Sequence, residues 1–179
     1  LKFKNLKKNR HAMIENAPST PLPSTDRCNE LAQRLHPRQQ YLKIDKIIEE
    51  SADSKSFILV ADTERGTMDL APFKAGNYIN ISTNLAGSVA SRTYSISSSP
   101  AEALQGFYRI TVKSQADGFM TNYLLREAQI GDKFIATEPG GFLTHSGIRD
   151  CDQVIGLAGG TGVTPFVSMA KAIAEGSEN

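Results

Sequence analysis

The sequence predicts a mainly β fold: a six-stranded antiparallel Greek-key barrel, followed by the first βα unit of an α/β domain that the chain does not complete. Two observations predict it. From Tyr41 the chain becomes a series of short segments rich in Ile, Val, Phe and Tyr, several of them alternating apolar with polar residues and separated by Gly and Pro. That is the pattern of strands with one buried face. Beyond the last of these segments come an apolar run, a Gly-rich turn and a helical pattern, in the order of a βα unit.

Composition agrees with a globular chain and narrows the function classes. A chain of 179 residues with 40% hydrophobic residues can bury one good core, and its length suits one domain or one and a piece. The 20 Lys+Arg against 19 Asp+Glu leave a formal charge of +1, which gives no electrostatic reason to expect nucleic acid or a membrane surface as partner. Cys28 and Cys151 are too few for a zinc site or a four-cysteine iron–sulfur cluster, so no metal site is expected. No apolar run approaches the roughly 20 residues that span a bilayer, and the start lacks the order of a signal peptide. A cytoplasmic protein is therefore expected. The first residue is Leu1 and the last stretch stops soon after a helical pattern, so the chain is expected to be part of a longer protein.

Residues 1–40 read as an N-terminal extension and linker. Lys2, Lys4, Lys7, Lys8 and Arg10 make a basic opening, read as a solvated face, and Pro18 to Thr25 cannot continue a helix. Strands are expected at Leu42 to Ile48, Ser56 to Ala61, Asn77 to Ser82, Ser91 to Ser97, Tyr108 to Val112 and Lys133 to Thr137. Gly118 to Ala128 reads as a helix or helical turn carrying Phe119, Tyr123, Leu124 and Leu125. Gln153 to Ala158 would suit a buried parallel strand, and Thr164 to Ala174 a helix with Val167, Ala170, Lys171 and Ala174 at helical intervals.

Three motifs carry chemistry. In Arg92-Thr93-Tyr94-Ser95-Ile96-Ser97-Ser98, strand alternation puts Arg92, Tyr94 and Ile96 on one face and Thr93, Ser95 and Ser97 on the other. A guanidinium fork, an aromatic ring and a hydroxyl this close suit a ligand with both a phosphate and a flat ring. The alternation alone fits equally an ordinary strand with an exposed Arg and a half-buried Tyr. Asp117-Gly118-Phe119-Met120-Thr121-Asn122-Tyr123-Leu124 opens a helix, whose N-terminal N–H groups attract phosphate; a helix capped by a turn fits this segment as well. In Leu157-Ala158-Gly159-Gly160-Thr161-Gly162-Val163-Thr164-Pro165 the glycines let backbone approach a pyrophosphate, and Pro165 suits a first helical turn. It is not the full G-x-G-x-x-G fingerprint, because Pro165 stands at the third glycine's place.

Together these motifs resemble the ferredoxin–NADP reductase family. Arg-x-Tyr-Ser-x-x-Ser is similar to its flavin signature, the Gly118 segment to its Gly-x-x-Ser-Asn-x-Leu with Thr121 for Ser, and Gly159 to Pro165 to its Ala-Gly-Gly-x-Gly-x-Thr-Pro turn. Phe73, Gly76, Tyr78 and Ile79 are similar to the segment before its flavin strand, although Ala75 and Asn77 depart from the usual Pro and Gln. Glu138-Pro139-Gly140-Gly141-Phe142 is one residue shorter than the family's Pro-x-Gly-x-Phe. The resemblance implies a flavin-binding barrel at 41–147 and an incomplete NAD(P)-binding domain at 148–179. It implies FAD, with FMN as the alternative, and NAD(P)H as electron donor. Arg92 would meet the flavin phosphate, Tyr94 and Ser95 the reacting ring with Thr93 beside them, and Gly118, Met120 and Thr121 the pyrophosphate. Gly159, Gly160, Thr161, Gly162, Thr164 and Pro165 would seat the dinucleotide. The implied reaction is hydride transfer to flavin followed by one-electron steps to an iron–sulfur or haem acceptor. Two other readings stay open: an electron-transfer subunit without stand-alone reductase activity, and a flavin-free structural barrel.

Overall fold

A computed structural model describes residues 2–17, 26–151 and 153–176. The chain divides into two compact units, 1–31 and 32–179. The first contains α1 (Lys2–Glu15) and the start of α2 (Arg27–Leu35), helices in a region whose sequence predicts an extension and linker. The signals for α2 are present in the sequence. Asp26 precedes the helix and accepts from Cys28 N at 2.9 Å, and Glu30 and Arg34 sit in the first and last turns, where they complement the helix dipole. The described side chains of both helices are exposed, so no core forms there among the described residues. The linker read at Pro18 to Thr25 lies outside the described residues.

The second unit is built on six strands: β1 (Gln40–Ser51), β2 (Ser54–Ala61), β3 (Tyr78–Leu85), β4 (Ser88–Ser95), β5 (Phe107–Lys113) and β6 (Lys133–Ala136). All six expected strands form. They make one sheet in the order β4-β3-β6-β1-β2-β5, every pairing antiparallel. An isolated antiparallel bridge between Ile96 and Ile110 draws the two ends of this order together and curls the sheet toward a barrel. Alternation works as expected: Tyr108, Ile110 and Val112 of β5 and Phe134 and Ala136 of β6 point inward. They meet Leu42, Ile44, Phe57, Leu59, Ile79 and Ile81 in one cluster. Two helices complete this layer. The short α3 (Pro100–Leu104) is held by a capping box between Ser99 and Glu102. The other, α4 (Phe119–Arg126), inserts Met120 and Leu124, each 1% exposed, into the barrel.

A polar knot stabilises the interior. Gln40 is buried; its Oε1 accepts from Ala71 N at 2.8 Å and from Tyr108 Oη at 3.4 Å, while its Nε2 donates to Thr137 O at 3.2 Å. Tyr108 Oη also donates to Ala71 O, and its ring meets Phe73 edge-on at 5.8 Å. Sequence alternation did not single out Gln40, because a polar residue at a strand start reads as solvent-facing.

The apolar run at 153–158 departs from expectation. It makes no strand pairing among the described residues, and Val154, Ile155 and Leu157 are 63%, 89% and 90% exposed. A parallel strand needs a parallel neighbour to satisfy its backbone, and no strand of this sheet offers one. The helix that follows, α5 (Thr164–Ala174), forms as expected, but it buries Thr164, Pro165, Ser168 and Ala172 rather than the Val167, Ala170 and Ala174 stripe. No helix among the described residues is long and apolar enough to cross a membrane.

Tyr108→Phe removes the donor to the buried Ala71 carbonyl and is expected to cost about 1–3 kcal/mol, read as a lower urea midpoint at unchanged slope. Burial pushes the Tyr108 phenol well above its ordinary value, so in alkali the unfolded chain loses this proton before the folded one does. The contribution to stability is complete below about pH 10 and falls as pH rises beyond it. The Phe variant should lose that alkaline slope.

Candidate functional site

The site is assembled where β4 meets the start of α4. On β4 the register pairs Tyr94 with Ile79 and Arg92 with Ile81 of β3, and both isoleucines are fully buried. Arg92 and Tyr94 therefore stand on the core-facing side of the sheet, at its β4 edge. Tyr94 is half-buried and packs on the core, whereas Arg92 is exposed. The Arg92 guanidinium donates to Ser91 O at 2.7 Å through Nη1 and makes no other hydrogen bond among the described residues. Most of its donor fork is thus free to pair an anion.

Tyr94 shows that the first two motifs converge. Burial raises its phenol above the ordinary value, and the Thr121 hydroxyl and then the Arg92 charge pull it back. One strand residue thus senses both its strand neighbour and the start of α4. Thr121 sits in the first turn of a helix whose N-cap, Gly118, has no side chain to cap it. The N–H groups of Phe119, Met120 and Thr121 have no acceptor among the described residues, since the first closing bond is from Asn122 N to Gly118 O at 2.7 Å. A Cβ at Gly118 would lie 3.1 Å from Thr121 Cβ and 3.2 Å from its Oγ1, so the missing side chain leaves that hydroxyl its place. Unspent helix N-terminal donors, a free guanidinium and a half-buried ring fit a phosphate joined to an aromatic system, which is the chemistry of a flavin nucleotide.

The remaining expected residues fall into place differently. Thr93 and Ser95 are on the other side of β4, with Ser95 opposite Tyr78 of β3. The Met120 side chain belongs to the core, leaving its backbone N–H as its only part at the helix start. Gly159 to Val163 forms a tight turn, with Gly162 N bonded to Gly159 O at 3.0 Å, and packs beside β5. Gly159, Gly160, Thr161 and Gly162 are exposed; Thr164 and Pro165 are buried, and the Thr164 hydroxyl donates to Thr161 O at 2.9 Å. Phe142 is 98% exposed. A cleft of about 550 Å³, lined by Arg34, Gln39, Gln40, Met68 and Asp69 among others, lies elsewhere and contains none of the motif residues.

Gly76, just before β3, has the firmest steric requirement. Its φ is +92°, and a Cβ there would lie 1.9 Å from Leu143 O and 2.5 Å from Met169 Cε. It brings the entry to β3, the 143 loop and α5 into contact.

A curled six-stranded barrel with an uncapped helix beside an Arg-x-Tyr-Ser strand defines a flavin-binding module. Residues 41–144, more than half of the chain, match the oxidoreductase FAD-binding domain, and the chain belongs to that family. It is similar to the glycine betaine monooxygenase reductase subunit of Chromohalobacter salexigens, 33% identical over 126 residues, which are 70% of this chain and 32% of that protein. It is also similar to a flavohemoprotein of Oceanobacillus iheyensis, 31% identical over 144 residues, with 76% and 34% covered. Among solved structures, phthalate dioxygenase reductase, described as a modular structure for electron transfer from pyridine nucleotides to [2Fe-2S], superposes with a TM-score of 0.65 at 28% identity. That superposition covers 77% of this chain and 40% of the reductase. The chain spans about a third of the length of the curated relatives it matches. FAD is the family's cofactor, and the donors around Arg92, Tyr94 and Gly118 fit it.

Gly76→Ala is expected to destabilise the barrel by about 2–6 kcal/mol from left-handed strain and overpacking together. Chemical denaturation checks this, and an unchanged midpoint would contradict the close approach of Leu143 and Met169.

Proposed function

We propose that this chain is the flavin-holding part of an NAD(P)H-dependent reductase that passes electrons through FAD to an iron–sulfur or haem acceptor. The observation that carries it is the half-buried Tyr94, packed on the core at the part of the sheet where β4 meets α4, beside exposed Arg92 and the uncapped start of that helix. In this reading 41–147 is the flavin barrel and 148–179 the beginning of the nucleotide domain. Arg92 pairs the flavin phosphate through its free fork, and the N–H groups of Phe119, Met120 and Thr121 take further phosphate oxygens. Tyr94 covers the ring with its face and excludes water from it. Ser95, at the end of β4 and on the side opposite Tyr94, would offer its hydroxyl to the edge of the ring, with Thr93 beside it. The turn from Gly159 to Gly162, with Thr164 and Pro165 setting its exit, seats the nicotinamide dinucleotide.

When bound, FAD supplies the chemistry, accepting a hydride and releasing electrons singly; the protein supplies orientation and electrostatics. The acceptor class is supported by the similar proteins, whose names describe an oxygenase reductase subunit, a flavohemoprotein and a reductase serving a [2Fe-2S] group. The cytoplasmic setting is part of the same proposal and is tested by fractionating cells with an antibody to the chain. The unpaired run at 153–158 favours a narrower second reading, in which the chain holds flavin without reducing an acceptor by itself.

Arg92→Ala is expected to weaken FAD binding roughly ten- to hundredfold, the value of hydrogen bonds to a charged group, while the denaturation midpoint stays put because Arg92 is exposed. Fluorescence titration of FAD checks this, and an unchanged affinity would remove Arg92 from the site.

A further inference from the structure

The exposed run at 153–158 lies against α5 where Gly156 meets the Phe166 ring, but it gives the helix no hydrogen bond among the described residues, while Ser168 and Ala172 of α5 are both 0% exposed. What fixes it comes from the barrel. Ser168 Oγ donates to Ser98 O at 2.6 Å, with both residues fully buried. Lys171 Nζ forks onto the Glu102 carboxylate at 2.8 and 2.9 Å, and the same carboxylate accepts from Ser99 N at 2.8 Å in the capping box of α3. Met169 Cε lies where a Cβ at Gly76 would be, 2.5 Å from that position. One turn of helix therefore grips three points of the barrel. Gly76 comes just before β3, Ser98 just after β4, and Glu102 in α3.

These points frame the candidate flavin strand. Ser98 is the third residue after Ser95 in the chain, and its carbonyl is fixed from one side by α5 while its Oγ accepts from Arg109 N of β5 at 3.0 Å. The Gly159 to Val163 turn opens directly into α5 and rests beside β5. Its position relative to Arg92, Tyr94 and Ser95 is thus transmitted through α5 and the Ser97 to Ser99 segment.

We propose that Ser168 and Lys171 are positioning residues that lock α5, and with it the Gly159–Val163 turn, onto the end of the Arg92–Ser95 strand through their hydrogen bonds to Ser98 and Glu102. Neither residue touches the flavin or the nucleotide. The role in hydride transfer rests on the function proposed above; the lock itself does not.

Hydrogen exchange on this chain, followed by peptide mass spectrometry, tests it. In the wild type the amides of Thr164–Ala174 should be protected like those of β5, while 153–158 exchange at nearly unprotected rates. Ser168→Ala with Lys171→Met should accelerate exchange across α5 at least tenfold and leave β1 to β6 and the FAD affinity unchanged. Lys171→Met alone, at a partly exposed position that leaves folding intact, should give a smaller acceleration in the same peptides, and Lys171→Arg, which keeps the pair with Glu102, should restore protection. Wild-type α5 exchanging as fast as 153–158, or full protection of α5 in both Met variants, would overturn the lock. FAD titration of the same samples reports on the flavin reading separately: protection of α5 in a chain that ignores FAD would uphold the lock and refute the flavin site.

Discussion

The antiparallel sheet has two edge strands, β4 and β5, and everything functional in this chain depends on how those edges are managed. Past Ser95 the chain leaves β4 and crosses to β5. Ile96 N bonds to Asn77 O at 3.0 Å, Ser97 N to Arg109 O at 2.7 Å, and Arg109 N to Ser98 Oγ at 3.0 Å. This short splice spends the exposed backbone donors of an edge on the opposite edge, as barrels do to avoid open edges. It also places Ile96 in the core at 0% exposure. Upstream of the splice, β4 has β3 as its one strand partner in the sheet, and the start of α4 packs beside it. Downstream, Ser98 and Ser99 are presented to α5 and α3.

The site follows from that geometry. A fully closed barrel would fill its interior with side chains and offer a ligand nothing. In the proposed function a ring lies against Tyr94, and the uncapped start of α4 offers donors beside the same strand. Burial of Met120 and Leu124 is what holds those donors there, because it pins the first turns of α4 to the core. The core and the proposed site are therefore one construction: residues that look purely structural set the direction of the unbonded amides at the start of α4.

Much of this was legible in the sequence. The six strands announce themselves by alternation and turn residues, and Arg92, Tyr94 and Thr121 by motif; Thr164 to Ala174 was recognisable from Pro165 at the helix start. Other parts were hidden for physical reasons. Alternation assigns faces only relative to a partner, so nothing local says that Gln40 turns inward to meet Ala71 and Tyr108. The strand expected at 153–158 is apolar enough to be buried, but strand formation needs a neighbour, and propensity cannot supply one. In α5 the apolar stripe pointed the wrong way: small and polar Ser168 faces the barrel because a carbonyl waits there, a tertiary fact with no local signature. The capping box Ser99-Pro100-Ala101-Glu102 is a readable local signal for α3, which the strand pattern around it obscures.

The central claim is that the gap between β4 and α4 is a flavin site. The measurement that tests it most directly is the visible absorption spectrum of the purified chain after incubation with FAD and removal of excess, beside a parallel sample given FMN. The account predicts a retained flavin band with a shape perturbed from that of free FAD, and weaker retention of FMN, which lacks the second phosphate that the α4 amides would hold. A colourless protein from both incubations, with the barrel folded by circular dichroism, would contradict it.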